Sequence, residues 1–185
     1  MYYKDDIERI LIPDFEIEAK VAELGAQIKT DYAHVEKPLL MLGILRGSFV
    51  FLADLARACD MPAEIEFISL SSYGGGTESS GNVRLVKDLE QSIEGRDVLI
   101  VEDIADTGIT LTFLKDVLKA RKPASLRLCA LLDKPSRRKT EMKPDYTGFT
   151  VPDFFLVGYG MDCGGRFRNL KDICVFKLKA SQTSS

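Results

Sequence analysis

The 185 residues carry 25 Lys and Arg against 28 Asp and Glu, a formal charge of −3, and 45% of them are apolar. That is the composition of an ordinary globular chain of one domain, which excludes disordered, fibrous and collagen-like classes. A weakly acidic total also argues against a general nucleic-acid binder, whose affinity comes from many Lys and Arg at phosphates.

The start, MYYKDDIERI, is acidic and mixed, without the basic-then-apolar pattern of a secretory signal. The longest apolar runs, such as Pro38–Leu45, fall short of the ~18–20 residues of a membrane span. A cytoplasmic protein is therefore expected. Ile17, Val21, Leu24 and Ile28 recur at helical spacing and predict an amphipathic helix over 15–33. Leu39–Leu45 is continuously apolar, as buried parallel strands are. Ser48 is positioned to cap a second helix carrying Phe51, Leu52, Leu55 and Ala56. Glu64–Leu70 reads as a strand with Ile65, Phe67 and Ser69 on one face, followed by the Gly- and Ser-rich stretch Ser71–Gly81, either a surface linker or a mobile lid.

Val98–Val101 is a further buried strand, and Leu111, Leu114, Val117 and Leu118 mark the helix after it, which stops at Arg121-Lys122-Pro123. Strands follow at Ser125–Leu132, Phe154–Tyr159 and Ile173–Leu178. This alternation predicts an α/β fold around a mainly parallel central sheet flanked by helices. Charge is unevenly spread: residues 1–36 hold nine acidic and four basic side chains, and residues 115–143 ten basic and three acidic. The basic segment is either a solvated face or a site for a small anion.

The four cysteines form no Cys-x-x-Cys pair, and His34 is the single histidine, so a structural zinc site lacks ligands. His34 falls at a helix end beside Asp31 and Glu36, where a solvated side chain is expected; Cys163, between Asp162 and Gly164, is the one cysteine near the expected chemistry.

That chemistry centres on residues 98–111, VLIVEDIADTGITL. Four buried residues end in adjacent carboxylates, Glu102 and Asp103, then a short turn and a helix. Ligands of open α/β sheets bind outside the carboxyl ends of strands. Neighbouring acids there repel each other, and their expected use is to hold a cation or sugar hydroxyls. Asp106, Thr107, Gly108, Ile109 and Thr110 supply N–H groups at a helix N-terminus, two hydroxyls and a glycine permitting close backbone approach, the parts of a phosphate cradle. Neither G-x-x-x-x-G-K-[ST] nor G-x-G-x-x-G after a strand is present, so nucleoside triphosphates and dinucleotides are poorly supported.

The run resembles the phosphoribosyl-pyrophosphate signature of type I phosphoribosyltransferases. Leu45-Arg46-Gly47-Ser48, Ser72-Tyr73, Leu131-Leu132-Asp133-Lys134 and Val157-Gly158-Tyr159-Gly160-Met161-Asp162 resemble, in order and spacing, the hypoxanthine and hypoxanthine–guanine branch. The likeness covers about residues 7–178. It implies one phosphoribosyltransferase domain over 1–180, a purine-covering hood from N- and C-terminal segments, a flexible lid at about 71–83 with Ser72 and Tyr73, and a disordered tail at 181–185. The implied reaction joins phosphoribosyl pyrophosphate to N9 of a 6-oxopurine with Mg²⁺ as cofactor.

By position, Glu102 and Asp103 would take the ribose hydroxyls and orient Mg²⁺, with Ile104 and Ala105 beside them. Thr107, Gly108, Ile109 and Thr110 would hold the 5′-phosphate. Asp106 would face purine N7 as general acid/base. Lys134 would bond the 6-oxo group and so reject adenine. Phe155 would stack on the base, and the Leu156 backbone would meet its edge. Asp162 would help hold a second Mg²⁺ at the purine end. Arg46, Gly47 and Arg168 would bind pyrophosphate. The family has a non-proline cis peptide at the position of Leu45-Arg46. Alone, Lys134 also reads as a surface lysine and Phe155 as simple core. Ala105 stands where the family more often has a bulkier aliphatic residue, and Cys163 where an aromatic is common, which leaves the purine range open.

Expected partners are the two substrates, without nucleic acid or membrane, in a homodimer or homotetramer. The rivals are a phosphoribosyltransferase-fold, RNA-binding nucleotide sensor, which needs a dominant basic face, and a pyrimidine or adenine transferase, against which Lys134 and the Phe155 segment argue.

Overall fold

A computed structural model describes residues 3, 5–72 and 83–177. The elements run β1 (Ile7–Ile12), α1 (Asp14–Asp31), β2 (Leu39–Leu45), α2 (Phe49–Cys59), β3 (Ala63–Ser72), β4 (Val83–Lys87), β5 (Asp97–Ala105), α3 (Ile109–Lys119) and β6 (Ser125–Asp133). A 3₁₀ turn (Pro135–Arg137), β7 (Tyr146–Thr150), β8 (Leu156–Val157) and β9 (Ile173–Phe176) complete them. The main sheet has the order β4-β3-β2-β5-β6-β7, parallel except at the β3–β4 pair. A second, antiparallel sheet has the order β1-β9-β8.

The main sheet is mostly parallel because its inner strands are apolar on both faces. On one face Leu39, Met41, Leu99, Val101, Cys129 and Leu131 pack with Ile17, Val21, Leu24 and Ile28 of α1 and Phe51, Leu52 and Leu55 of α2. On the other, Leu40, Leu42, Val98, Ile100 and Leu128 pack with Leu111, Leu114 and Leu118 of α3. Leu99 and Ile100, adjacent in β5, are both fully buried on opposite faces. Each such side chain contributes about 1.5–3 kcal/mol relative to exposure.

The connection β2–α2–β3 runs outward to one side and β5–α3–β6 to the other, so the strand order reverses between β2 and β5. A crevice opens at such a reversal beyond the strands' carboxyl ends. Pairing of β2 with β5 runs from Leu40↔Val98 to Gly43↔Val101, whereas β5 remains paired with β6 as far as Ala105↔Asp133.

Several sequence expectations are corrected. β5 does not end at Val101, because pairing with β6 carries it through both acids to Ala105. Ser48 stands at the N-cap position of α2 as expected, but its side chain makes no capping bond; its buried hydroxyl donates instead to the Ile44 carbonyl at 2.8 Å. In β3 the fully buried residue is Ile68, while Ile65 is 44% exposed. The strand expected at Phe154–Tyr159 shrinks to Leu156–Val157, broken by the positive φ of Gly158 and Tyr159, and β9 ends at Phe176. β1, β4 and β7 carry too few buried residues to stand out in sequence. His34 is exposed in the turn after α1. Tyr73, the body of the expected lid and the tail at 181–185 lie outside the described residues. Among the described residues no helix is long and apolar enough to cross a membrane.

Candidate active site

A cavity of about 670 Å³ lies at the reversal point. Its walls bring together Arg46 and Gly47 after β2, Asp103 and Ile104 in β5, Asp106 beyond it, Lys134 after β6, Phe155 and Leu156 at β8, and Asp162 and Arg168 before β9. Glu102, Ala105, Thr107, Gly108, Ile109 and Thr110 do not line it. Met161, from the motif that ends at Asp162, lines it as well, and so do Arg137, Asp153 and Phe154, which belong to no motif. The adjacent Arg137-Arg138 pair had registered only as part of a basic segment.

The two adjacent acids differ in setting: Asp103 lines the cavity and Glu102 does not. Asp103 is buried, and that burial lifts its carboxyl to about 6, with Asp162 adding to the rise while the Ile104 N–H and the Arg168 charge oppose it. Burial lifts Glu102 well above the usual carboxylate range, and Asp103 adds to it. Glu102 Oε2 is buried without a hydrogen-bond partner.

Gly47 rests against the Asp103 carboxylate with no room for a side chain, and the Leu45–Arg46 peptide before it is cis. Across the cavity Arg168 donates from Nη1 to the Gly160 carbonyl at 2.6 Å, and its Nη2 lies 2.6 Å from Asp162 Oδ1. The other Asp162 oxygen accepts from the Gly165 N–H at 2.7 Å. Arg168 and Asp162 are thus held in one frame.

Lys134 is no surface lysine: it is 5% exposed, and its Nζ donates to the Phe154 carbonyl at 2.6 Å and to Asp153 Oδ1 at 3.4 Å. Phe155 is no core residue; it is 45% exposed at the cavity wall, its ring 5.7 Å from that of Phe176. Asp106 is paired with Arg137, whose Nε lies 2.8 Å from Oδ1 without alignment for a hydrogen bond.

The turn before α3 is clasped by residues 134–140. Lys134 N–H donates to the Ala105 carbonyl at 3.0 Å, and Lys139 N–H to that of Thr107 at 2.9 Å. Arg138 forms an ion pair with Asp133 and reaches the Ala105 carbonyl at 3.4 Å. Gly108, at φ 83°, is N-cap of α3, and a Cβ there would overlap the Thr140 hydroxyl. The close approach that this glycine permits is therefore to the chain itself. Thr107 Oγ1 accepts from the Ile109 N–H at 3.4 Å.

Among the described residues no three His, Cys, Asp or Glu side chains form a metal-holding group. The oxygen donors facing the cavity nonetheless suit Mg²⁺, which takes one or two carboxylates and fills its other positions with water and substrate phosphate. The unpartnered buried oxygen of Glu102 is a further acceptor awaiting a donor or cation.

A model of the phosphoribosyl transferase domain matches residues 13–163. The chain is 48% identical over 174 residues to a hypoxanthine-guanine phosphoribosyltransferase of Bacillus subtilis, covering 94% of this chain and 96% of that one. It is 51% identical over 162 residues to a hypoxanthine phosphoribosyltransferase of Haemophilus influenzae, covering 87% and 90%. A crystal structure of a hypoxanthine phosphoribosyltransferase from Staphylococcus aureus superposes with a TM-score of 0.90 at 45% identity, covering 96% and 95%.

Proposed function

The chain belongs to the phosphoribosyltransferase family, in its hypoxanthine–guanine branch, and on that premise we propose how its cavity serves purine salvage by moving a 5-phosphoribosyl group to N9 of a 6-oxopurine. The observation that carries this reading is the gathering of Asp106, Lys134 and Phe155 with Arg46, Asp103, Asp162 and Arg168 around one cavity at the point of strand reversal. One set suits a flat base with an acceptor edge, and the other suits a sugar joined to a polyanion.

We assign the base to the wall at Phe155 and Leu156. Lys134, its ammonium aimed by the Phe154 carbonyl, donates to the 6-oxo oxygen; the amino group of adenine would meet a donor there. Asp106 faces N7 and balances charge on the ring as N9 attacks the anomeric carbon. That carbon turns cationic, and Asp103 and Glu102 accept from the ribose hydroxyls beside it. First-turn N–H groups of α3, with Thr107, Gly108, Ile109 and Thr110, hold the 5′-phosphate. Arg46, the Gly47 backbone and Arg168 take the departing pyrophosphate. Asp103, Asp162 and Glu102 would hold Mg²⁺, which when bound supplies neutralisation of the leaving phosphates.

The smaller sheet β1-β9-β8 supplies Leu156 and serves as the hood over the base. We place the enzyme in the cytoplasm, in keeping with four free thiols, and as a homodimer or homotetramer whose interfaces cover exposed apolar residues such as Phe15. Against the RNA-binding reading stands the engagement of six cations of the basic segment: Lys115, Arg121, Arg127, Lys134, Arg137 and Arg138 each meet a carboxylate.

The test is a spectrophotometric assay of hypoxanthine, guanine, xanthine and adenine with phosphoribosyl pyrophosphate, with Mg²⁺ or with chelator. Turnover of the 6-oxopurines but not adenine, lost in chelator, is expected. Preference for adenine would overturn the role of Lys134, and full rate in chelator that of the metal.

A further inference from the structure

Arg137 lies outside the short motifs that mark the hypoxanthine branch, yet it stands between the two groups assigned to the base edge. The turn Pro135–Arg137 sets it just beyond Lys134, its N–H donating to the Lys134 carbonyl at 3.1 Å. From there the guanidinium reaches two carboxylates. Nε lies 2.8 Å from Asp106 Oδ1, and Nη1 donates to Asp153 Oδ1 at 3.2 Å. That same Asp153 oxygen accepts from Lys134 Nζ at 3.4 Å. Asp106, Arg137, Asp153 and Lys134 form a row of alternating charge along one wall of the cavity.

The row is asymmetric at Asp106. Oδ1 is buried beneath the guanidinium, while the side chain as a whole retains 38% of its exposure, which leaves Oδ2 as the oxygen open to a ligand. The terminal torsion of an aspartate is broad, so an unpartnered carboxylate would sample many rotations. A cation seated on one oxygen selects among them. Both partners are more than a third exposed, so the pair adds little to folding stability, whereas orientation of a general acid/base acts directly on turnover.

We propose that Arg137 is a positioning residue for phosphoribosyl transfer: it fixes the Asp106 carboxylate with Oδ2 toward the base and, through Asp153, keeps it in register with Lys134. This rests on the assignment of Asp106 and Lys134 to the base edge.

The experiment compares Arg137→Ala, Arg137→Lys, Asp106→Asn and the Arg137→Ala/Asp106→Asn double variant in steady-state kinetics and thermal melts. Arg137→Ala is expected to lower kcat about tenfold, with KM for phosphoribosyl pyrophosphate within about twofold and a melting midpoint within about 3 °C of the parent. Arg137→Lys, which keeps a cation for Oδ1, is expected to recover about threefold of that loss. Asp106→Asn is expected to lose roughly 10²–10⁴-fold, and adding Arg137→Ala to it costs nothing further, because the residue being aimed is already disabled.

Normal turnover of Arg137→Ala overturns the proposal, as does equal loss in Arg137→Ala and Arg137→Lys, or additive loss in the double variant. If Asp106→Asn is crippled and Arg137→Ala is not, the proposal alone falls. If Asp106→Asn turns over normally, the assignment of Asp106 falls and the proposal with it.

Discussion

A methyl group placed on Gly47 would overlap Oδ2 of Asp103, so the turn after β2 meets a carboxylate of β5 along bare backbone. Asp103 is only 8% exposed, and the one side open to its carboxylate is the cavity that it lines. Gly47→Ala must therefore turn that carboxylate out of place in the cavity or part the two strand ends where the sheet reverses. The expected result is a fall in kcat/KM of at least about 10²-fold and a loss of about 1–3 kcal/mol in denaturant unfolding. Parental kinetics and stability in that variant would show that the strand ends separate freely.

Burial holds the Asp103 carboxyl at about 6 instead of its ordinary 3.8. Between those two values the folded chain binds more protons than the unfolded one, so this carboxyl's contribution to stability falls as pH rises through the window and stays low above it. Asp103→Asn keeps the shape and the acceptor for the Ile104 N–H but never ionises. It is expected to be more stable than the parent at pH 7.5, on the order of 2 kcal/mol, while losing activity. Melting curves at pH 4.5 and 7.5 check this; an equal gap between the two proteins at both pH values would refute it.

Lys134 is anchored to a backbone carbonyl at 2.6 Å in a buried setting, so its ammonium has one fixed direction. Lys134→Ala should cut kcat/KM for hypoxanthine by about 10²-fold or more and improve the adenine-to-hypoxanthine ratio at least about tenfold. Competition between the two bases measures it, and an unchanged ratio would remove Lys134 from base selection.

Cys59, Cys129 and Cys174 are buried, and burial pushes the Cys59 and Cys174 thiols up to about 11 and Cys129 in the same direction. Cys163 is only half-buried. A thiol reagent at pH 8 should therefore give one fast equivalent per chain, absent in Cys163→Ser, and the other thiols should appear only on unfolding. A second fast equivalent in the native enzyme would contradict this burial.

What sequence reveals of this molecule follows the physics of each element. β2, β5 and β6 are continuous apolar runs because both of their faces are covered, and such runs are legible. β7 is not, since only Tyr146 of its five residues is buried. The end of β5 is hidden because carboxylates ordinarily mark a strand's exit; here a neighbouring strand keeps pairing past them, from Glu102↔Ala130 to Ala105↔Asp133. Most cavity-lining residues are legible through the family likeness, as contiguous motifs. Arg137 and Asp153 are not, because their relation exists only once a turn after β6 faces a loop after β7.

The clasp between residues 134–140 and the turn at 105–108 fixes more than a loop. On the proposed assignment, the base is gripped at Lys134 and the 5′-phosphate at Thr107, and these two jaws are tied by backbone hydrogen bonds at Ala105 and Thr107. The backbone spacing beneath them is set by these bonds, and the Lys134 ammonium is then aimed by the Phe154 carbonyl. The enzyme then works as a caliper set before any ligand arrives, and a nucleotide with the wrong base-to-phosphate span is turned away by its length.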